Sequence, residues 1–435
     1  MKRTMLTLST ILTLVIYLIV GVQFTNLSSA NFFPDPGPDL PRIYIRANGD
    51  VEPAKAPIER SGDVYKLTGN IAMHTIVIQR DNIVLDGSGY LLEGNKSWMG
   101  LAPGWGDAGN NGIIITGRNH VNITNLNIKG FTAGVRISGS SHISIVGNSF
   151  NELAAVFDSP MGLVAEASSH VLIENNSFSR IYGPAIACNG TNITIKANTL
   201  TDIADSVDGC IALQGASNTI TDNLIETASP SIRLGSAYST IIARNHITGS
   251  IAFISASNNQ IYQNNLTGIR LIFSSNNTFF CNNMTNNAVY DTIALDQGTK
   301  NNTFYANTFP ANCSIRIQDA GTTFWDNGTI GNYWSNYNGT DSNRDGIGDS
   351  PYMITGVKWD NDAQGDVSFA AGQDNYPLMA PYDTENDEVV VPPPEPFPIL
   401  PVAAGVAVVA VVVVAAGLLL YFRRRKRQVR VVEVG

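Results

Sequence analysis

The sequence predicts an all-β solenoid, a parallel β-helix of about 22 residues per coil, with one membrane-spanning helix after it. Three patterns predict this. An apolar-x-x-Asn-x-apolar unit recurs along residues 145–309, a second short alternation runs ahead of each copy, and an unbroken apolar run closes the chain.

The units are Ile145/Asn148/Phe150, Ile173/Asn176/Phe178, Ile195/Asn198/Leu200, Ile220/Asn223/Ile225, Ile242/Asn245/Ile247, Ile261/Asn264/Leu266, Phe279/Asn282/Met284 and Phe304/Asn307/Phe309. An earlier copy, Ile123/Leu126/Ile128, has Leu in the Asn place. The preceding alternations, such as Val135-Arg136-Ile137 and Ile269-Arg270-Leu271, have the period of a strand with one buried face. A repeat of this length cannot bury its apolar face alone, so neighbouring coils must stack on one another. Stacking at about 4.8 Å turns equivalent positions into columns. A column of Asn can pass amide hydrogen bonds from coil to coil, and Asn tolerates the left-handed backbone of tight bends. The Asn is therefore read as a structural bend marker.

The segments divide as follows. Residues 1–30 read as a signal peptide, with Lys2 and Arg3 before an apolar run and Ser28 and Ala30 as small residues at the cleavage site. An N-terminal extension (31–60), the β-helix (61–330) and a C-terminal cap (331–382) follow, then an acidic and proline-rich stalk (383–398). Residues 399–422 form the span. The run Val402 to Phe422 just suffices to cross a bilayer core of about 30 Å at about 1.5 Å per residue. The tail 423–435 opens with Arg423 to Arg427 and belongs on the cytoplasmic side. The body then lies at the cell surface, outside. A net charge of −9 and the lack of a basic run in the body exclude a nucleic-acid partner.

The repeat, the entry segment Asp81 to Tyr90 and the exit segments Gly331 to Tyr337, Asp349 to Tyr352 and Asp374 to Leu378 together resemble the NosD-like right-handed parallel β-helix family. That resemblance implies a right-handed solenoid. It also implies one of several roles: an archaeal-type surface protein, a carbohydrate-binding protein or sugar hydrolase, or an accessory protein for copper-site assembly.

Four constellations could carry chemistry. Asp341, Asn343, Asp345, the Ile347 carbonyl and Asp349, with Gly346 at the turn, match the first part of an EF-hand-like calcium loop; Tyr352 stands where the last Glu would be. His120, His142 and His170 each precede an aligned strand by three residues, so they should form a column that could share copper or zinc if the rings tilt together. Asn192, Ser217, Ser239, Asn258, Asn276 and Asn301 continue that column, which marks it as a polar turn site.

Hydrolase or lyase chemistry would draw on Asp158, Glu166, Asp202, Asp205 and Asp208, with Arg180, Lys196 and Arg233 nearby; no catalytic set is assigned. Trp98 and Trp105 offer a sugar-stacking platform or an N-terminal cap. Of the four cysteines, Cys188 and Cys210 sit on adjacent coils but about three positions out of register. Asn-x-Ser/Thr acceptors such as Asn122 and Asn327 are abundant, which fits a glycoprotein. The functional expectation is a surface protein that binds glycans or surface-layer proteins. Its alternatives are a polysaccharide hydrolase or lyase and a NosD-like copper-binding protein.

Overall fold

The computed structural model describes residues 40–94, 110–153, 161–204, 209–227, 230–285, 291–318, 321–360 and 364–382. The signal peptide, Trp98, Trp105, Asp158, Asp205, Asp208, the stalk, the apolar run and the basic tail lie outside them. Among the described residues every regular element is a strand, and no helix is long and apolar enough to cross a membrane.

Each coil supplies three short strands, as in Ala133–Ser138, Ser141–Val146 and Ser149–Leu153, so the solenoid has three faces. The third face is a 12-stranded parallel sheet from Ile71–Ala72 to Tyr333–Trp334. The first and second merge into one 27-stranded sheet, because Met161–Glu174 runs through their corner and pairs with strands on both sides of it.

Alternation decides what is buried. Inward-pointing Ile145, Ile173, Ile195, Ile220, Ile242, Ile261, Phe279 and Phe304 form one column, each with no exposed surface. Each such side chain contributes roughly 1.5–3 kcal/mol on burial. Aromatic rings stack where the column holds Phe, as in Phe279–Phe304 at 4.5 Å.

The coils begin earlier than residue 61. Arg42–Ile45 already pairs in parallel with Thr75–Ile78. The repeat is invisible there because an antiparallel hairpin, Ile58–Ser61 with Val64–Leu67, supplies the second-face strand that pairs with Ile83–Asp86. At the other end, Tyr333–Trp334 pairs with Thr308–Phe309, so the last third-face strand falls within the expected cap. A long hairpin, Tyr352–Asp360 with Gly365–Asp374, then joins the first face at Arg316 and Val357.

The Asn column is a continuous hydrogen-bond ladder. Asn148 donates its backbone N–H (2.9 Å) and its side-chain amide (3.1 Å) to Asn176 Oδ1, and that amide also donates to the Ile123 carbonyl (3.0 Å). The pattern repeats through Asn198, Asn223, Asn245, Asn264, Asn282 and Asn307 to Asn332. Every rung is at least 97% buried, where an unpaired amide would cost about 1–3 kcal/mol.

The ladder ends on a carboxylate. Fully buried Asp374 accepts the Asn332 N–H (2.6 Å) and Trp334 Nε1–H (2.9 Å) on Oδ2, and the Tyr376 N–H (3.1 Å) on Oδ1. Its approach requires Gly331, where any Cβ would collide with the carboxylate. Burial pushes the Asp374 carboxyl up to about 6, against the pull of those three donors.

Two outcomes follow from the ladder. Asn223→Ala strips the acceptor from the Asn198 N–H and side-chain amide, and should cost about 2–4 kcal/mol in urea unfolding; a loss below about 0.5 kcal/mol would deny the ladder its role. The raised Asp374 pKa makes the folded state bind its proton more tightly than the unfolded chain. Its contribution is therefore fully present below about pH 4 and is lost as pH rises to 6, by on the order of 2–3 kcal/mol. Asp86, Asp222, Asp349 and Asp366, whose carboxyls lie below the usual range, act only at lower pH. Tryptophan fluorescence melts should thus give a lower midpoint at pH 7 than at pH 4.5, and Asp374→Asn should flatten that difference.

Candidate functional site

A groove of about 740 Å³ crosses the turn between the second and third faces. Its lining includes Lys66, Asp86, Ser88, Asn125, Asn127, Ser149, Asn175 and Ser177. The registers Lys66–Asp86, Asp86–Thr124, Thr124–Val146 and Val146–Glu174 place these on successive coils, so the groove extends about 19 Å along the axis.

The local sequence explains the groove. In the Asp86-Gly87-Ser88-Gly89-Tyr90 turn, Ser88 and Gly89 take positive φ, and the turn is longer than the two-residue bends at Gly147-Asn148 and Asn175-Asn176. Asp86 Oδ1 accepts the Ser88 N–H (2.8 Å) and Asn125 Nδ2 (3.3 Å). Burial works against the charged form, yet these hydrogen bonds and the Lys66 charge hold the Asp86 carboxyl below its usual range. Asn127 Nδ2 donates to the Gly89 carbonyl (2.7 Å). The result is a fixed row of amides and hydroxyls with one carboxylate and one ammonium.

Sequence reasoning did not find this site, because no single residue in it is unusual. Its one legible signal was the longer Asp-Gly-Ser-Gly turn. A wider cleft of about 920 Å³ at the N-terminal end is lined by Arg46, Asp50, Glu52, Arg60 and Gln79, and there the Arg46 guanidinium already binds Glu52 (2.6 Å) and Gln79 (3.2 Å).

The histidines form the expected column. His120, His142 and His170 stack at 4.7 Å between centroids, with planes 2° and 6° apart, on the exposed surface. All three and their successors Asn192, Ser217, Ser239, Asn258, Asn276 and Asn301 have φ between 49° and 57°, the left-handed bend that favours such polar residues. The parallel rings keep their nitrogens in separate planes. Among the described residues no group of three or more His, Cys, Asp or Glu has the geometry to hold a metal.

In the 341–349 loop both Asp341 oxygens point inward: Oδ1 accepts the Arg344 N–H (2.7 Å) and Oδ2 the Gly346 N–H (2.9 Å). Asn343 Nδ2 donates to Asp345 (2.8 Å), and Asp349 Oδ2 accepts Ser342 Oγ (2.6 Å) and Thr340 Oγ1 (2.9 Å). These bonds hold the Asp349 carboxyl below its usual range. Gly346 has φ 84°. The Gly348 N–H donates to the Pro377 carbonyl (2.8 Å), and the Gly346 carbonyl accepts the Met379 N–H (3.0 Å), fastening the loop to the cap.

The described acids are not brought together. Glu166 stands on the first face, beside Ser138 and Asn189, and pairs with Arg136 (3.0 Å). Asp202 stands on the third face, on the coil after Arg180, which pairs with Glu152 (3.1 Å). Lys196 pairs with Glu174 on the second face. Asp158, Asp205 and Asp208 lie outside the described residues. Cys188 aligns with Leu213, three positions from Cys210, and all four cysteines are free thiols. Burial pushes the Cys188 thiol up to about 12.

Comparison with known proteins adds to the fold. No curated protein matches the chain by sequence. Among solved structures it is similar to a mutant tailspike protein of E. coli bacteriophage HK620 in complex with pentasaccharide, at 14% identity and TM-score 0.33, covering 59% of this chain and 52% of that one. It is also similar to a mutant of the periplasmic alginate epimerase AlgG (15%, 0.36, 63% and 70%) and to the catalytic domain of a GH87 α-1,3-glucanase in complex with nigerose (12%, 0.34, 67% and 61%). The chain thus spans about half the length of the tailspike, and at these TM-scores the likenesses carry no argument. The family model for the right handed beta helix region matches residues 82–253 and 134–309. With three-faced coils in parallel register and a family match across more than half its length, the chain belongs to the right-handed β-helix family.

Proposed function

We propose that this protein is a membrane-anchored surface protein of NosD-like, archaeal type whose solenoid binds carbohydrate along the groove between its second and third faces. The groove carries the reading. Sugar hydroxyls both donate and accept, and a row of Asn amides and Ser hydroxyls answers both needs at once. The row is fixed by stacked coils, so little side-chain ordering opposes binding. In this reading Val402 to Phe422 spans the membrane with Arg423 to Arg427 inside, and the body faces the medium.

Binding ranks ahead of hydrolysis or lysis, which needs two acids facing one another across a cleft; Glu166 and Asp202 stand on different faces. It ranks ahead of copper handling because the three imidazoles are parallel rather than convergent.

The test is a glycan array probed with the purified protein, then titration of the best hit against Ser149→Tyr, which places a ring over the groove floor. A loss of tenfold or more in affinity with an unchanged melting temperature is expected. Silence across the array, or affinity untouched by Ser149→Tyr, would dismiss the groove.

The cap loop takes calcium in the same proposal, with Asp341, Asp345 and Asp349 drawing together on the ion, since without it these three acids do not stand clustered as ligands. Asp341, Asn343, Asp345, the Ile347 carbonyl and Asp349 supply a hard, all-oxygen donor set that suits that ion. Bound calcium would offset the repulsion among three carboxylates and pin the loop against 377–379. At 100-fold excess over Kd it should add about 2.7 kcal/mol to the stability of the cap. The midpoint of tryptophan fluorescence melts should therefore rise with calcium over chelator, and Asp345→Ala should remove the rise. Equal midpoints in calcium and chelator would end this assignment.

A further inference from the structure

A second apolar cluster lies outside the core. Ala243, Tyr262 and Phe280 point outward from consecutive coils of the second face, with Ile241, Cys281 and Tyr305 packed around them. The rings stack in register: Tyr262–Phe280 at 4.8 Å and Phe280–Tyr305 at 5.2 Å. Earlier coils hold polar residues in this column, Glu174, Lys196 and Thr221.

Stacking alone does not bury an outward ring, because it hides the faces and leaves the rim in solvent. The histidine column on the same molecule shows this. His120, His142 and His170 stack at 4.7 Å and remain exposed. Phe280 stacks no more tightly, yet it is only 1% exposed, Tyr262 is 9% and Ala243 is 0%. The Arg244 guanidinium reaches the Tyr262 hydroxyl, and the apolar residues packed around the cluster are its own neighbours on the same face, so the cover over the Phe280 rim comes from beyond them.

The chain itself arrives at this place. Tyr382, where the described residues end, is half-buried and close enough to the Tyr305 phenol to act on its ionisation. Burial first, then Cys281 and Tyr382, push that phenol up to about 12. The next residues read Asp-Thr-Glu-Asn-Asp-Glu-Val-Val-Val, from Asp383 to Val391.

Reach fits. From Tyr305 to Ala243 is three coils, about 14 Å, and the seven residues from Tyr382 to Val389 span up to roughly 23 Å when extended. Arg244 and Lys196 border the same columns, but each already holds a carboxylate, Asp222 (2.8 and 3.0 Å) and Glu174, so the fit rests on reach and on where the described chain ends.

We propose that residues 383–391 fold back along the second face as a strap, with Val389, Val390 and Val391 seated on the Tyr262–Phe280–Tyr305 stack. The proline-rich stalk then leaves from the flank of the solenoid, which fixes how the body is held relative to its anchor.

Cys281 reports on the strap. Its thiol lies half-buried against the stack, and burial pushes it up to about 12. In the full-length protein, iodoacetamide labelling of Cys281 under native conditions, read by peptide mass spectrometry, should be slow. Deleting 383–391 so that Tyr382 joins Pro392 should speed it tenfold or more, while core Cys188 stays unlabelled as proof of folding. Val389→Ser, Val390→Ser and Val391→Ser together, at unchanged chain length, should give the same release. Equal Cys281 rates with and without 383–391 would overturn the strap. So would protection that survives the deletion but fades on dilution, since a second copy would then be the cover.

Discussion

The structure depends on one repeated bond: a backbone N–H of one coil donated to the Asn side-chain oxygen of the next. A three-faced coil must bend sharply where the second face meets the third, and at a bend the regular sheet ladder is interrupted. Without a partner, those inward N–H groups would be buried and unsatisfied. The Asn amide solves this from the side chain. Its oxygen takes two donors from the preceding coil and its nitrogen serves the coils on either side. Because each rung needs the next, the rungs fix the coil spacing and the register together, and Ile and Phe columns can then stack without gaps.

A ladder of this kind has to stop somewhere, and the stopping points shape the ends. At the start, Leu126 replaces Asn and still donates its N–H to Asn148 Oδ1 (3.0 Å), so the first rung needs no amide of its own. At the finish, Asn332 has donors left with no further coil to receive them. A carboxylate serves there because it only accepts, and Asp374 meets donors from Asn332, Trp334 and Tyr376 simultaneously. The hairpin that carries Asp374 also covers the open edge of the first face, where unpaired strands would otherwise invite another chain.

What could be read from the sequence divides along the same line. Asn148 through Asn307 were legible because burial forces identity in each repeat, and the His120 column was legible as a turn because left-handed φ restricts residue choice. The second amide ladder, Asn259 to Asn277 to Asn302, escaped notice. Each of its members sits beside another Asn, at 258, 276 and 301, and one polar residue masks the other when only apolar spacing guides alignment. The coil from Arg42 was hidden by a hairpin that breaks the period. The groove was hidden for a deeper reason: surface amides and hydroxyls are ordinary singly, and only the register Asp86–Thr124–Val146–Glu174 brings them into one row.

In a solenoid the columns that continue report on folding, so the columns that change report on something else. Core columns stay apolar from coil to coil, even where Ala165, Cys188, Met284 or Trp334 takes the place of Ile, Leu or Phe, within limits set by packing. The outer column running Glu174, Lys196, Thr221, Ala243, Tyr262, Phe280 and Tyr305 shifts from charged to aromatic with no help to the core. Exposed aromatic surface of that size would be an aggregation liability in water. Its burial therefore points to a contact made by the molecule outside its coils, just as the polar groove points to a contact left open. One flank has its apolar residues covered near the C-terminal end and its polar residues accessible near the N-terminal end. That division leaves the groove as the part of the flank still available to a ligand.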